Sequence, residues 1–470
     1  MENNENKINI EENKKESKEQ IALNNKKKII FLNSFSTEPI TEKQKEEKEE
    51  NKENKEKDII TSDGDEIQKE QIPPTKFESI LNYKNEFNLN KYLKKFHLFY
   101  YQCKNPSEDK IAYRFGKILL FTYGKNFPKI NSYKNKKTYT SDSGWGCMLR
   151  CGQMILSRGI YRFLKSKKMD TKDALYYTFS LFFNHPIKEE NLHKYFHGMI
   201  NKYNLLKKEG EGEGEGEGEE NNKKIKDFFP PFSIKTICQF AEFNGKTAGE
   251  WFSDVNMSYI FKNISEYFDL FNNSELNAKI LNFQSCIEIQ DILNACFIEK
   301  NKLEKGNNKY IKLKGKIYYF DKMGIIFVNV RIGLDKIPKD YYQGIKELFN
   351  LKECIGIIGG KERNAFYFIG YSETEDSLLY LDPHVTKEDD KTINIKDILS
   401  KHVLKPVHLL KMSKMSTGFT IGFCFRTYEE FLHLFEFWLK AKQSKLPILG
   451  LVKQPIVVEI KHKDLESDDF

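Results

Sequence analysis

The sequence predicts an α+β fold: a helical half carrying a candidate nucleophile, then a mostly antiparallel sheet half. Three observations predict it. In the first half, apolar residues such as Leu149, Leu156, Ile160 and Phe163 recur at helical spacing. In the second half, six short apolar runs bounded by turn residues read as strands. Strands that follow helices, rather than alternating with them, segregate into α+β layers.

Taken in order, residues 1–80 are dominated by Lys, Glu and Asn and hold too little apolar surface to offset the entropy of ordering, so a disordered tail is expected. Near its end, Phe77-Glu78-Ser79-Ile80 has the aromatic-x-x-aliphatic form of a peptide that adds a strand to a ubiquitin-like partner, beside the plainer reading of a domain entry. One packed unit is expected over 81–450, because aromatic and β-branched content rises from about Tyr83, through KYLKKFHLFYYQC and IAYRFGKILLFTYGKNFP. In Thr140–Ile160 a turn, Gly144-Trp145-Gly146, gives way at Cys147 to an amphipathic helix, with the capping-type residues Thr140, Ser141, Asp142 and Ser143 upstream. Helical stretches follow at Asp173–Phe183 and Leu192–Leu206. The tract GEGEGEGEGEE (Gly210–Glu220) marks a low-complexity loop insertion near 207–227. Pro230 and Pro231 restart order ahead of a helix at Ser233–Glu242. GKTAGEWF (Gly245–Phe252) is a second tryptophan turn leading into a helical run, and a Lys/Asn-rich stretch near 300–316 is expected as a second loop. The strand candidates are Gly324–Leu334, Cys354–Gly360, Ala365–Tyr371, Ser377–Asp382, Lys405–Leu410 and Gly418–Phe425, interrupted by a helix between Pro338 and Leu351. A last helix opens with Thr427 and Glu430 at capping-box spacing. Residues 451–470 are expected to be a tail.

Composition excludes several classes of function. The 76 basic and 68 acidic residues leave a weak excess of +8 with no basic stripe interleaved with aromatics, which argues against nucleic-acid binding and leaves room for transient contact with a membrane surface. Eight cysteines are scattered without paired spacing, and CMLRC (Cys147, Cys151) lacks a second ligand pair, so neither a zinc ribbon nor a disulfide framework is expected. Free thiols fit a reducing, cytoplasmic setting. No apolar run is long enough to cross a membrane, and an N-terminus of Glu, Asn and Lys is unlike a signal peptide.

A thiol in the first turn of a helix faces unpaired N–H groups and the positive end of the dipole, both of which favour thiolate. Cys147 therefore reads as a nucleophile or as a buried cysteine at a helix start. A nucleophile needs a base, and the base needs an orienting group. Among nine histidines, His97, His185, His193 and His197 lie in polar or mixed helical surroundings, His402 and His408 by strands, His433 in the last helix and His462 in the tail. His384 differs, because in LYLDPH it stands two residues after Asp382 at a strand end, where alternate side chains share a face and Pro383 stiffens the backbone.

The combination of DSGWGCMLRCGQM and YLDPHVT resembles the autophagy-related protein 4 family of cysteine peptidases. The resemblance continues through FTYGKNFPKI, GKTAGEWF, VNVRIGLDKI and GIIGGKERNAFYFIGY, and it spans about Tyr100 to Lys442 apart from the two insertions. It implies a papain-like fold with a small added subdomain. It also implies an enzyme that trims the C-terminus of an autophagy-related protein 8 type ubiquitin-like protein to expose a glycine, and that later releases that protein from phosphatidylethanolamine. No metal or organic cofactor is implied.

Carried over residue by residue, the resemblance implies that Cys147 is the nucleophile, His384 the general base and acid, and Asp382 the group that orients the imidazole. Tyr123 matches a tyrosine that donates to the oxyanion, with the Cys147 backbone N–H as second donor. Trp251 lines the groove that admits the glycine. Gly359, Gly360, Lys361, Glu362, Arg363 and Asn364 match a flexible gate lying against that tryptophan, here without the proline of some relatives. Arg331 matches an arginine near the substrate surface, and Trp145 reads as packing beneath the turn. Two alternatives stay open. Ubiquitin-fold-modifier-specific proteases share the GWGC turn and the Asp-Pro-His pair, although CMLRCGQM, FTYGKNFP and GKTAGEWF favour the autophagy peptidase. A silent module that binds a ubiquitin-like protein would also keep the fold.

Overall fold

The apolar runs of the second half form one sheet, and that sheet is buried on both faces. The computed structural model describes residues 95–104, 116–132, 134–200, 227–272, 276–302, 309–361, 363–402, 407–443 and 459–460. The expected tail at 1–80 with Phe77–Ile80, the Gly210–Glu220 tract and Glu362 lie outside the described residues. So does the end of the Leu192–Leu206 stretch, whose described part holds a 3-10 turn at Lys194–Phe196 and then helical residues from 198 to 200.

The first half holds β1 (Lys95–Leu98), β2 (Tyr101–Lys104), β3 (Gly124–Asn131), β4 (Thr138–Ser141), α1 (Cys147–Ser166), α2 (Thr171–Ser180), β5 (Ile187–Lys188), β6 (Asp227–Phe228), α3 (Ile234–Phe243) and α4 (Asp254–Tyr267). Next come β7 (Ala278–Gln284), α5 (Ile289–Cys296), β8 (Phe297–Lys300), β9 (Tyr310–Leu313), β10 (Lys316–Phe320), β11 (Met323–Arg331) and α6 (Tyr342–Asn350). The chain closes with β12 (Cys354–Lys361), β13 (Asn364–Ser372), β14 (Ser377–Leu381), β15 (Lys387–Glu388), α7 (Ile395–Lys401), β16 (His408–Lys411), β17 (Gly418–Phe425), α8 (Tyr428–Gln443) and β18 (Glu459–Ile460).

The main sheet runs β16-β14-β13-β12-β17-β11-β7, with β1 on the far end of β13 and β2 on β1. Among its described pairs only β7–β11 is parallel, so the sheet is mostly antiparallel as expected. Alternation along the strands separates two cores. Ile325, Phe327, Tyr367 and Ile369 join the core built on α1 to α4. Ile326, Val328, Phe366 and Phe368 join the core under α6 and α8. Burial on both faces is why these strands read as unbroken apolar runs rather than as alternation. Each such side chain contributes roughly 1.5–3 kcal/mol.

Helix α1 presses closely on both neighbours because it carries glycines there. A Cβ on Gly152 would come within 2.4 Å of Met257 in α4, and one on Gly159 within 2.5 Å of Ile325 in β11. The caps follow the sequence in part. Ser233 accepts from Thr236 N at 3.2 Å ahead of α3, and Ser253 forms a full capping box with Asn256 ahead of α4. Thr427 accepts from Glu430 N at 3.3 Å, but the Glu430 carboxylate turns to the backbone N–H and guanidinium of Arg426, so only half of the expected box forms.

Two expectations are corrected. The stretch 300–316 is not loop throughout, since Tyr310–Leu313 is strand β9, paired with β10 across a turn in which Lys314 and Gly315 both have positive φ. Buried Ile311 and Leu313 flank exposed Lys312 there, a period too short to stand out among lysines and asparagines. Within the expected tail at 451–470, Glu459–Ile460 pairs with β9, and β18-β9-β10-β8 forms a separate four-stranded sheet. His97 also differs from expectation. It lies on β1, where it is bonded to Glu373 at 2.6 Å and stacked on Tyr371. Among the described residues no helix is long and apolar enough to cross a membrane.

Candidate active site

Helix α1 begins at Cys147 with Gly146 as its N-cap and no side-chain cap. No side chain upstream caps it: the backbone oxygen of Asp142 accepts from Trp145 N at 3.2 Å and Gly146 N at 2.8 Å, which closes the turn ahead of the helix. Cys147 is thus the first helical residue, at the end where backbone N–H groups lack helical partners. Its side chain is buried beneath the turn. Trp145 packs there too, donating from Nε1 to Ser141 O at 3.1 Å and meeting Tyr139 edge-on, which agrees with a packing role.

Asp382, Pro383 and His384 follow the end of β14. Asp382 Oδ1 accepts from His384 N at 2.9 Å and lies 2.5 Å from Nδ1, which fixes the proton on that nitrogen and turns Nε2 the other way. Nε2 is buried and has no partner at ideal hydrogen-bond geometry. The Cys147 thiol is the group it faces, close enough for each to shift the other's titration. Looser contacts of this kind are usual in unliganded sites. Phe366 and Tyr123 meet the imidazole edge-on at 5.6 and 5.5 Å and shield it.

The electrostatics follow from these contacts. Burial pushes the Cys147 thiol up, but hydrogen bonds from His384, the Ala365 backbone N–H and Tyr123 together bring it below its ordinary value. Burial acts against the His384 cation, yet Asp382 and Cys147 raise it to about 9. Asp382 is held low by His384 despite its own burial. The pair therefore favours thiolate and imidazolium over thiol and imidazole, and it titrates as a unit. Tyr123 is pushed up by burial and by the neighbouring Cys147, so its phenol stays protonated as a donor.

Tyr123 is held between the two halves of the site. Its N–H donates to Pro383 O and its carbonyl accepts from Lys387 N, both at 2.9 Å, so it brackets His384. Trp251, partly exposed, donates from Nε1 to Gly144 O at 3.2 Å and so stands over the turn that carries Cys147. The described residues of Gly359–Asn364, matched to a gate by resemblance, close a strand hairpin. Gly359, Gly360 and Lys361 end β12, Asn364 opens β13 opposite Lys361, and Arg363 turns the hairpin with φ +71°. Ser416 N bonds Gly360 O at 2.8 Å, and adjacent glycines let the strands close that tightly. Arg331 is exposed at the end of β11, opposite Gly418 of β17, whose next residue pairs with Gly359, so it shares that end of the sheet with the hairpin.

Sequence reasoning missed two participants. Ala365 supplies a backbone donor to the thiol, and only its place directly after GGKERN hinted at it. Asp142, read as a cap, is a buried carboxylate bonded to Gly124 N at 2.7 Å and to Arg150 Nε at 2.7 Å. No local pattern links positions 124, 142 and 150.

Comparison with known proteins places the chain among cysteine peptidases. Residues 108–437 match the peptidase C54 catalytic domain. Cysteine protease ATG4B of Gallus gallus is 26% identical over 334 residues, covering 67% of this chain and 72% of its own length. Cysteine protease ATG4C of Xenopus laevis is 28% identical over 346 residues, covering 69% and 68%. Cysteine protease ATG4A of Gallus gallus is 26% identical over 336 residues, covering 68% and 75%.

Proposed function

The chain belongs to the peptidase C54 family of cysteine peptidases, and from that premise we propose that it cleaves an autophagy-related ubiquitin-like protein of the protein 8 type directly after a glycine and also releases that protein from phosphatidylethanolamine. The observation that carries the reading is the alignment of Asp382, His384 and Cys147, with the outer imidazole nitrogen left for the thiol. The papain-like comparison is supported by a nucleophile on a helix start and a His–Asp pair on the facing sheet. The separate four-stranded sheet is the candidate for the added subdomain.

The Cys147 thiolate attacks the glycine carbonyl, and the resulting oxyanion accepts hydrogen bonds from Tyr123 and the Cys147 N–H, each worth about a hundredfold or more in rate. His384, protonated at the start, gives its proton to the leaving nitrogen, a peptide amine in processing or the ethanolamine amine in release from lipid. It then takes a proton from water, and the hydroxide so formed hydrolyses the thioester and frees Cys147. Asp382 stabilises the imidazolium throughout. Trp251, standing over the Gly144 turn, narrows the approach to a residue without a Cβ. Arg331 and the Lys361–Asn364 hairpin lie where the body of the substrate protein docks.

The test is incubation of the purified full chain with an extended precursor, read by intact mass. Cleavage directly after glycine by wild type, lost in Cys147→Ala, is the expected result. Cleavage of a ubiquitin-fold-modifier precursor alone would overturn the substrate assignment.

A further inference from the structure

Asp142 and Arg150 form an ion pair almost sealed from solvent, between the two residues that flank the reacting groups. Arg150 donates from Nε to Asp142 Oδ2 at 2.7 Å and from Nη2 to Oδ1 at 3.2 Å. Both side chains are at most 3% exposed. Arg150 is itself fixed by Gln153 Oε1 at 3.1 Å, and Gln153 by Phe232 O at 2.7 Å. A buried pair of this kind adds little net stability over apolar packing, so its presence calls for another account.

The bonds around Asp142 supply one. Its Oδ1 accepts from Gly124 N at 2.7 Å, and its own N–H reaches Gly124 O over a longer 3.3 Å. Its carbonyl accepts from Gly146 N at 2.8 Å. Gly124 directly follows Tyr123, and Gly146 directly precedes Cys147. One residue thus ties the backbone of the tyrosine to the backbone of the cysteine, and the guanidinium holds its carboxylate in place. The fit leaves no slack. A Cβ on Gly124 would meet Arg150 Nη2 at 3.1 Å, and one on Gly146 would fall 2.5 Å from Asp142 Oδ2.

We infer that Asp142, clamped by Arg150, is a positioning residue that sets the Tyr123 hydroxyl against the carbon attacked by Cys147. The inference rests on the oxyanion role given to Tyr123 above. Asp142 touches neither thiol nor substrate, so it acts on the rate only through that placement, and a misplacement of about 1 Å can cost about a hundredfold.

The test is a double-mutant cycle on precursor cleavage with iodoacetamide alkylation of Cys147 measured in parallel. Asp142→Asn, nearly isosteric, is expected to lower kcat by about 10- to 100-fold with KM within about twofold. The pH profile of Cys147 alkylation should match wild type, because His384 and Asp382 are untouched. In a Tyr123→Phe background, itself down about a hundredfold, Asp142→Asn should cost less than about twofold more, since residues acting as one unit are not additive. Arg150→Lys, which keeps the charge and loses the two-point grip, should show a smaller loss of the same pattern and provides the cycle if Asp142→Asn does not fold. Losses that multiply in the double variant, or an altered alkylation profile, overturn the inference while leaving the peptidase reading intact. A Tyr123→Phe enzyme with wild-type kcat removes the oxyanion assignment and this inference together.

Discussion

Two histidine–aspartate pairs stand eighteen positions apart in the chain, and they have opposite fates. His384 gives Nδ1 to Asp382 at 2.5 Å and leaves Nε2 without an ideal partner, facing a thiol. His402 gives Nε2 to Asp390 at 2.8 Å and spends Nδ1 on Leu120 O at 3.1 Å, with Phe179 packed 4.5 Å from its ring. Asp390 is held down to about 2, because His402 and Lys401 together outweigh its burial. One pair is closed on both sides and staples α7 to the Leu120 segment, whereas the other is open on one side and faces chemistry. The thiols differ in the opposite sense: Cys147 is held below its ordinary value by hydrogen bonds from His384, the Ala365 N–H and Tyr123, which Cys151, one helical turn on, lacks. Both are buried, but full burial with no hydrogen bond to offset it drives Cys151 well above its ordinary value.

Substitution breaks this contrast most strongly at the thiols. Cys147→Ala should lose about 10⁶ in kcat, whereas Cys151→Ala should stay within a few-fold, both read by precursor cleavage. Next come the two pairs. Asp382→Asn should lower kcat by about 10³–10⁴ through the wrong tautomer, while His402→Gln should lower the thermal midpoint and spare kcat. A His402→Gln enzyme that unfolds normally but no longer turns over would refute the contrast. A smaller effect lies in pH. Alkylation of Cys147 should begin below the ordinary thiol value of about 8.5 and shift upward in His384→Gln. The alkaline limb of kcat/KM should fall near 9, where His384 loses its proton. The smallest effect is at Asp390, where Asp390→Asn should cost about 1–3 kcal/mol at neutral pH. A carboxyl whose folded value is depressed stabilises above its unfolded value of about 3.9 and loses that contribution as pH falls through its folded value. The gap to wild type should therefore close between about 4 and about 2, as followed by denaturant midpoints.

What the sequence made legible was local or periodic. Cys147 stood at a glycine–tryptophan turn before a helical repeat, and Asp382 and His384 two apart at a strand end, so each signal lay within a few residues. Ser233 and Pro338 marked helix starts in the same way. What stayed hidden depended on partners far along the chain. The strand reading of Cys354–Gly360 stopped one residue short of Lys361, because the pairing of Asn364 with Lys361 and the bond from Ser416 to Gly360 leave no local pattern. Asp142 read as a cap because its carboxylate partners, Gly124 and Arg150, have no pattern in common with it. Strand β9 was obscured by its lysines, and its pairing with β18 joins segments nearly 150 residues apart.

The missing side chain at Gly159 reaches further than its size suggests. Ile325 and Ile355 of the sheet lie against the bare α-carbon, so the helix is seated on the sheet with no play. Cys147 rides on that helix, about 18 Å along its axis, and His384 hangs from a strand of the same sheet. The gap between sulfur and imidazole is therefore gauged by how deeply the helix is seated, as a tool is set by its mount. One added methyl at Gly159 would tilt the far end of that mount. Inherited variation thus has a handle on turnover at a buried glycine far from the thiol.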